Sequence, residues 1–371
     1  MRLFQQRAEI QTYRTAKEFV EAFGIGRGDF VLASRSIFER YFDGLCPEAV
    51  VCFKGDYGSG EPTDVMIDGL LADFRKGQYG RIIAIGGGAV IDMAKILVLD
   101  TEASAADIFQ RKTPIRKARE LIAVPTTCGA GSEVSNVSIA ELTALETKMG
   151  IAENALYADY AVLIPQLLEE LPYRFFATSA IDALIHAIES FVSPKACAYT
   201  EMFSREAIRL ILRGFQRMEA QGEEARFAYL EEFLNASTMA GVAFGNAGTG
   251  AVHAMSYPLS GKYHVAHGEA NYQFLVAVFR KYQALKPEGK IREINAFLAQ
   301  QLGCETEEVY ERLEKLLDHI VGRRPLREYG MKEAEIPVFA DSVVAGQQRL
   351  LGQSYVKFDA QIMQEIYREL Y

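Results

Sequence analysis

The sequence predicts an α/β protein in which an amino-terminal parallel-sheet domain is followed by an all-helical domain. In the first half of the 371 residues, short apolar runs alternate with amphipathic segments, as in a parallel sheet with crossover helices. From about Leu171 onward the strand signals end, and long segments with helical periodicity replace them. We therefore expect one domain at residues 1–166 and a second at residues 167–371.

Four short runs in the first half have the character of buried parallel strands. Each run is apolar or β-branched, and Gly, Pro or polar residues bound it. The predicted strands are Asp29–Ser34, Ala49–Phe53, Arg81–Ile85 and Leu121–Val124, and Asp64–Lys76 is a predicted crossover helix. The predicted helices of the second half are Phe175–Phe191, Thr200–Gln221, Glu223–Met239 and Thr306–Ile320.

The composition narrows the class of protein. Forty basic and forty-nine acidic residues give a net charge of −9 without basic blocks, which argues against nucleic acid or an anionic membrane as the main partner. The five scattered cysteines form no C-x-x-C pair, as is typical of a reducing cytoplasm. The charged amino terminus does not resemble a signal peptide, and the most apolar run, Ile82–Leu99, contains Asp92 and Lys95. We expect a cytoplasmic protein of enzyme size with no membrane span.

Three glycines, Gly86, Gly87 and Gly88, join a predicted strand to a predicted helix. In this arrangement, exposed backbone N–H groups and the helix dipole can hold a phosphate. Glycine is needed because a Cβ would block the approach of a pyrophosphate to the backbone. The alternative is a tight turn without a ligand, in which Asp92 only complements the dipole of the helix.

A second turn favours the phosphate interpretation. The predicted strand Leu121–Val124 continues into PTTCGAGSE, in which Thr126 and Thr127 offer two hydroxyls. In open α/β sheets, ligands bind at the carboxyl ends of the strands. Two such turns in one domain predict a Rossmann-like, dinucleotide-binding sheet.

A metal site is predicted in the helical half. Asp182 and His186 are four residues apart, so they share one face of a helix, where they can be two ligands of one ion or a simple salt bridge. Two of the five histidines, His253 and His267, lie in a Gly-rich stretch that can wrap around an ion. One carboxylate and three imidazoles suit a catalytic Fe²⁺ or Zn²⁺ with a position left for substrate, and the donor set does not choose between the two metals.

Taken in order along nearly the whole chain, these motifs resemble the iron-containing (group III) alcohol dehydrogenases. The resemblance is carried by GGGAVIDMAK at 86–95, PTTCGAGSEVS at 125–135, the Asp182/His186 helix and the region of His253 and His267. It implies hydride exchange between a nicotinamide cofactor and a small alcohol or aldehyde. It also implies that Asp182, His186, His253 and His267 hold the metal.

The resemblance assigns cofactor roles in the sheet domain. It implies that Gly87 and Gly88 touch the pyrophosphate with Asp92 beside them, and that Thr126 and Thr127 line the same groove. Lys148 would reach the ribose on the nicotinamide side. The family also implies a homodimer. No low-complexity linker separates the two predicted domains, so we expect a cleft between them.

The sequence departs from the family at two places. Tyr257 stands where many members carry a histidine near the substrate, so its hydroxyl can replace a histidine in a proton relay, or its ring can only shape the pocket. Ser34 and Arg35 stand where an acidic residue usually favours NAD, and an arginine there can accept the 2′-phosphate of NADP. The resemblance favours NAD and leaves NADP open.

Several stretches narrow the expected substrate. YGSGEPTD, AIESFVSP and PLREYGMKE are similar to family members that interconvert 4-hydroxybutyrate and succinate semialdehyde. Such a substrate needs a cationic or N–H-rich partner for its carboxylate. Lys262, His264 and Arg35 are candidates by residue type, and the sequence does not choose among them.

Two other functions compete with a dehydrogenase. A lyase of the dehydroquinate synthase type has the same architecture and also uses NAD and a metal. Its phosphorylated substrate requires basic residues beside the metal helices, yet 175–193 contains no Lys or Arg. A non-catalytic binding protein that kept the fold would leave its metal site vacant and inactive after reconstitution. The dehydrogenase is the favoured hypothesis.

Overall fold

The computed structural model describes residues 2–145 and 147–371. The chain forms two compact units, Gln6–Leu171 and Pro172–Tyr371, and the segment that ends at Gln5 belongs to the second unit. The predicted boundary after residue 166 lies too early, because Leu167 packs into the core beneath the sheet of the first unit. The prediction also placed the amino-terminal segment in the wrong unit.

The first unit contains all the strands of the described residues. They are β1 (Glu9–Thr12), β2 (Asp29–Ala33), β3 (Val50–Phe53), β4 (Arg81–Gly86), β5 (Glu120–Pro125), β6 (Val137–Leu142), β7 (Thr147–Ala152) and β8 (Tyr160–Leu163). Its helices are α1 (Ala16–Phe23), α2 (Arg35–Tyr41), α3 (Asp64–Phe74), α4 (Gly88–Leu97) and α5 (Ala105–Phe109).

Six parallel strands form the main sheet in the order β1-β8-β5-β4-β2-β3, and β6 pairs with β7 as an antiparallel hairpin. The four predicted strands are therefore confirmed as β2, β3, β4 and β5. The sequence patterns missed β1, because this edge strand is mostly exposed and polar, and they also missed β8 and the hairpin. The predicted α/β class with a parallel sheet is confirmed.

Both faces of the central strands are buried, which explains their continuous apolar runs. On one face, Val31 of β2 packs in a core with Phe19 of α1 and Phe38 of α2. On the other face, the ring of Phe30 meets the ring of Phe74 of α3 at a centroid distance of 5.0 Å. Helices therefore cover both faces of the sheet, and the carboxyl ends of its parallel strands lie along one edge.

The second unit contains helices and 3-10 turns, and no strand among its described residues. Its helices are α6 (Tyr173–Val192), α7 (Ala198–Gln221), α8 (Leu230–Ala247), α9 (Ala251–Tyr263), α10 (His267–Leu285), α11 (Lys290–Leu302), α12 (Val309–Ile320), α13 (Ile336–Gly346), α14 (Gln348–Leu351) and α15 (Ala360–Leu370). α6 is long and apolar enough to cross a membrane, but 89% of its most apolar window is buried inside the unit, as in a core helix.

Two helix predictions need correction. Glu223–Met239 is not one helix, because Glu223–Tyr229 forms 3-10 turns and α8 continues to Ala247. α8 ends where Gly248 takes φ +80°, a left-handed conformation that favours glycine. Thr306–Glu308 is likewise a 3-10 turn that precedes α12.

Candidate metal centre and dinucleotide cradle

The helix α6 supplies two of the predicted metal ligands. Asp182 and His186 are one turn apart, and both are buried, with 5% and 6% of their surfaces exposed. An uncompensated carboxylate at such a depth would be costly, so its neighbours must supply positive charge or hydrogen bonds. Asp182 and His186 therefore need partners, because both are polar side chains in the core of the unit.

The helices α9 and α10 supply the other two predicted ligands. His253 lies in the first turn of α9, and His267 is the first residue of α10. A Cβ on Gly268 would clash with the carbonyl oxygen of Thr178 and lie 3.0 Å from the Cβ of Asp182. Because residue 268 is a glycine, α10 can begin in direct contact with α6, which brings His267 to Asp182.

The four predicted ligands converge. One ligand atom from each of Asp182, His186, His253 and His267 lies within 4.8 Å of all the others. Ligands that share one ion at about 2.1 Å are separated by at most about 4.2 Å, so only small side-chain adjustments are needed. The Oδ1 atom of Asp182 lies 3.8 Å from Nε2 of His253 and 4.0 Å from Nε2 of His267.

The chemistry of this cluster fits a cation. The Nε2 atom of His253 is buried and has no hydrogen-bond partner among the described residues, which is an energetic cost that a bound ion would remove. Burial opposes ionisation of Asp182, but the three neighbouring imidazoles and a hydrogen bond from Asn271 outweigh it and lower the pKa of this carboxyl group. The cluster thus offers one anionic oxygen and three imidazole nitrogens, a donor set that suits iron or zinc.

A buried carboxylate outside the cluster orients one of the imidazoles. Glu189 of α6 is 2% exposed, and its two oxygens accept hydrogen bonds from Nδ1 of His253 at 2.6 Å and from the backbone N–H of Val252 at 2.8 Å. This pairing directs the other ring nitrogen, Nε2, to the cluster. The sequence analysis missed Glu189, although its position three residues after His186 places it on the same side of the helix.

Three further side chains surround the cluster. Asn271 of α10 donates to Oδ1 of Asp182 at 2.8 Å. The ring of Phe244 stacks on His186 at a centroid distance of 4.3 Å. The ring of Tyr257 lies 6.1 Å from that of His267, so this residue is beside the cluster, and its role there stays a prediction. Asn271 and Phe244 were not predicted, because their residue types alone do not indicate a metal site.

The glycine turn forms a close-packed cradle at the end of β4. Gly87 precedes the first residue of α4, and no side chain caps this helix. A Cβ on Gly87 would lie 3.2 Å from Thr127 Cγ2, and a Cβ on Gly88 would lie 2.8 Å from Ala130 Cβ. The backbone N–H of Thr126 donates to the carbonyl oxygen of Gly86 at 3.1 Å. The two predicted turns therefore meet, and side chains larger than glycine would fill the space between them.

The cradle lies where the sheet order reverses. From β2 the chain runs to β3 on one side and then returns to β4 on the other side. In open α/β sheets, ligands bind at such a switch point, beyond the carboxyl ends of the strands. Ser34 follows β2 there: its N–H donates to Ile85 at 2.9 Å, and its Oγ lies 3.0 Å from where a Cβ on Gly86 would be.

Asp92 is part of a buried network behind the cradle. Its carboxylate accepts hydrogen bonds from Ser132 Oγ and from the N–H of Ile139 at 3.0 Å, and it lies 3.3 Å from the ammonium of Lys95. Burial lowers the pKa of Lys95, against the opposing effect of Asp92. The network ties α4 to the second turn and to the hairpin, so it holds the cradle in shape. A direct contact of Asp92 with a cofactor stays a prediction.

Three remaining candidates are not among the residues that form the metal cluster or the cradle. Lys148 is on β7, where its ammonium pairs with Glu61 at 2.8 Å, so its contact with a ribose stays a prediction. Lys262 is exposed and pairs with Glu335. His264 is exposed at the end of α9 with φ +54°. These positions do not select a partner for a substrate carboxylate.

A sheet unit with a glycine cradle at its strand ends and a helical unit with an Asp-His₃ cluster, three of whose four side chains are buried, are the features expected of a metal-dependent dehydrogenase. Two family models match the chain: "Iron-containing alcohol dehydrogenase" at residues 4–165, and "Fe-containing alcohol dehydrogenase family, C-terminal" at residues 176–371. The chain therefore belongs to the iron-containing alcohol dehydrogenase family, and the family predicted from its motifs is confirmed.

Individual relatives agree with this assignment. The 4-hydroxybutyrate dehydrogenase of Clostridium kluyveri is 49% identical over 371 residues, which is 100% of both chains. A 1-propanol dehydrogenase of Citrobacter freundii is 29% identical over 320 residues, 86% of this chain and 81% of that protein.

Solved structures share the fold. A 1,3-propanediol oxidoreductase has a TM-score of 0.84 at 25% identity, with 100% of both chains covered. A sulfoacetaldehyde reductase from Bifidobacterium kashiwanohense, solved in complex with NAD⁺, has a TM-score of 0.85 at 24% identity and covers 99% of this chain and 98% of its own. These likenesses confirm the predicted succession of a sheet unit and a helical unit.

Proposed function

We propose that this protein interconverts 4-hydroxybutyrate and succinate semialdehyde with NAD(H), at a site that contains one divalent iron or zinc ion. The convergence of Asp182, His186, His253 and His267 is the observation that supports a metal-dependent reaction. The full-length identity of 49% to a 4-hydroxybutyrate dehydrogenase supports the substrate.

The side chains of the cluster would hold the ion and keep water away from it. Asp182 contributes the negative charge, and Glu189 fixes the ring of His253. Phe244 covers one face of His186, so part of the surroundings is apolar. When bound, the ion supplies polarisation of the substrate oxygen, and the nicotinamide ring supplies or accepts the hydride.

Tyr257 is our proposed proton donor and acceptor for the substrate oxygen. Its ring lies beside His267, and its hydroxyl is the group by which this chain replaces the histidine of many family members. A positioned hydroxyl can transfer a proton in the transition state. If Tyr257 only shapes the pocket, its ring is sufficient. A variant without the hydroxyl therefore distinguishes this role from proton transfer.

The cradle is our proposed site for the pyrophosphate of the dinucleotide. Gly86, Gly87 and Gly88 would present backbone N–H groups, and Thr126 and Thr127 would line the groove. Ser34 lies beside the cradle, Asp92 braces it, and Lys148 would contact the ribose. NAD is the proposed form of the cofactor, and NADP is the alternative.

A steady-state assay tests the proposed substrate. The protein, loaded anaerobically with Fe²⁺ or Zn²⁺, is given succinate semialdehyde, butanal or lactaldehyde together with NADH or NADPH. We expect kcat/KM to be highest for succinate semialdehyde with NADH. A preference for butanal or lactaldehyde would reject the substrate. Net consumption of NADH with an aldehyde would also exclude the lyase, which regenerates its NAD.

Two expectations about the whole protein stay predictions. By analogy with the family, we expect a homodimer in solution, which sedimentation of the purified protein would test. The five scattered cysteines form no disulfide among the described residues, as is typical of a reducing compartment, so we expect the protein in the cytoplasm.

A further inference from the structure

An arginine and two carboxylates meet at the strand ends beside the cradle. Arg35 follows β2, and Asp56 lies in the 3-10 turn that follows β3, the neighbouring strand. Nη2 of Arg35 lies 2.7 Å from Oδ1 of Asp56, and Nη1 lies 3.6 Å from Oε1 of Glu39. The guanidinium also stacks over the ring of Phe53, 4.0 Å from its centroid.

This cluster lies where a dinucleotide fold distinguishes its cofactors. In Rossmann-type sheets, a carboxylate at a strand end next to the glycine turn favours the ribose hydroxyl of NAD, and an arginine there accepts the 2′-phosphate of NADP. Here the residue directly beside the turn is the neutral Ser34. The charged groups that can decide the preference on this flank are Arg35, Asp56 and Glu39.

The charges of the cluster oppose a second phosphate. One guanidinium faces two carboxylates, and a phosphomonoester adds between about −1.5 and −2 charges at neutral pH. A 2′-phosphate that bound Arg35 would lie next to the carboxylate of Asp56, which already accepts a hydrogen bond from that guanidinium. Both side chains are about half exposed, at 50% and 55%, so a bound nucleotide can meet them.

We propose that Asp56 is a specificity-determining residue that excludes NADP, by occupying the guanidinium of Arg35 and by repelling a 2′-phosphate. This inference rests on the proposed binding of a dinucleotide in the cradle. It would explain why Arg35, which by residue type can accept a 2′-phosphate, does not select NADP here. Glu39 also opposes a 2′-phosphate, but more weakly, because its contact with Arg35 is longer.

Binding of nucleotide fragments tests the role of Asp56 without any catalysis. Calorimetry on the full-length, metal-loaded protein measures the Kd of 5′-AMP and of adenosine 2′,5′-bisphosphate, and NADH and NADPH are compared by fluorescence. In the wild type we expect 5′-AMP and NADH to bind more tightly than their 2′-phosphorylated counterparts. In Asp56→Asn, we expect about fivefold tighter binding of the bisphosphate, with the Kd of 5′-AMP almost unchanged.

Two further variants sharpen this test. Arg35→Met added to Asp56→Asn should remove the gain, because no cation is left to accept the phosphate. Glu21→Gln is the matched control: it removes one charge from an exposed ion pair with Lys17 on α1 and should leave both Kd values unchanged.

The outcomes separate this inference from the proposed function. If 5′-AMP and NADH bind but Asp56→Asn leaves the ratio of the two affinities unchanged, the role of Asp56 is wrong and the dinucleotide site stands. A wild-type preference for the 2′-phosphorylated ligands overturns the inference as well. If neither nucleotide binds, both the dinucleotide site and the role of Asp56 are wrong.

Discussion

The carboxylate of Glu189 accepts a hydrogen bond from Nδ1 of His253 at 2.6 Å, deep inside the helical unit. Since a carboxylate can only accept, Nδ1 is the donor of this bond, and in a neutral ring Nε2 then presents its lone pair to the cluster. Glu189 thereby connects α6 to the start of α9, where its second oxygen accepts from the N–H of Val252. The imidazole is oriented before any ion binds.

The first prediction concerns this orientation. In Glu189→Gln, the amide NH₂ must face one of two donors, Nδ1–H of His253 or the N–H of Val252, so the ring loses its fixed position. We expect metal affinity to fall by about 10- to 100-fold. Competition with a chelator of known affinity measures this loss.

The control for Glu189→Gln is Glu219→Gln. Glu219 lies in the same unit, and among the described residues its carboxylate accepts hydrogen bonds from Arg312, at 2.6 Å and 3.1 Å, rather than from any of the four ligands. We expect its metal affinity to equal that of the wild type. Wild-type affinity in Glu189→Gln would contradict the positioning role, whereas weaker binding in both variants would point to a general loss of structure.

The second prediction concerns the cradle. Gly88→Ala places a Cβ 2.8 Å from the Cβ of Ala130, so the turn must shift and the backbone N–H groups move from their positions. We expect at least about tenfold weaker binding of NADH and a lower melting temperature. Gly346→Ala is the control, because a Cβ there meets nothing within 4 Å. Unchanged NADH affinity in Gly88→Ala would count against a pyrophosphate at this turn.

The third prediction concerns the network that braces the cradle. Lys95 is fully buried, and its ammonium donates to Ser132 at 2.6 Å and to the carbonyl oxygen of Val137 at 2.5 Å. Lys95→Met leaves the carboxylate of Asp92 without its cation, and we expect a loss of about 3 kcal/mol in the free energy of unfolding. Denaturant titration measures it.

A double-mutant cycle with Asp92→Asn shows whether the loss comes from the pair itself. If the two side chains act together, the double variant should be less destabilised than the sum of the single variants. Additive losses would mean that Lys95 and Asp92 stabilise the unit independently.

The fourth prediction concerns Tyr257. If its hydroxyl carries the proton, Tyr257→Phe lowers kcat by about 100-fold and leaves KM nearly unchanged. Tyr263→Phe on the same helix is the control, because the hydroxyl of Tyr263 bonds to Glu335 instead. A kcat of Tyr257→Phe equal to that of the control would reduce the role of Tyr257 to shaping the pocket.

Local sequence patterns were sufficient for the central strands and for placing Asp182 and His186 on one face of a helix. The runs around Val31 and Ile83 are apolar because helices cover both faces of the sheet, and such runs can be read without any alignment. Asp182 and His186 share a helix face by their spacing alone. Their meeting with His253 and His267 depends on how α6, α9 and α10 pack, and the resemblance to a family supported it where the spacing could not.

Other features depend on contacts between residues far apart in the chain. Arg35 and Asp56 are 21 residues apart and meet only because β2 and β3 are neighbours. From the sequence alone, Arg35 therefore looked like a cation without a carboxylate partner. β1 was missed for a related reason: three of its four residues are polar, and only its pairing with β8 identifies it as a strand.

Anomalous X-ray scattering from crystals of the protein loaded with Fe²⁺ or Zn²⁺ tests most directly whether four side chains hold one cation. We predict a single strong peak per chain, about 2.0–2.2 Å from a carboxylate oxygen of Asp182 and from one nitrogen each of His186, His253 and His267. Asp182→Ala and His267→Ala should each abolish metal retention and turnover. A peak elsewhere, or wild-type metal content in either variant, would contradict the metal centre.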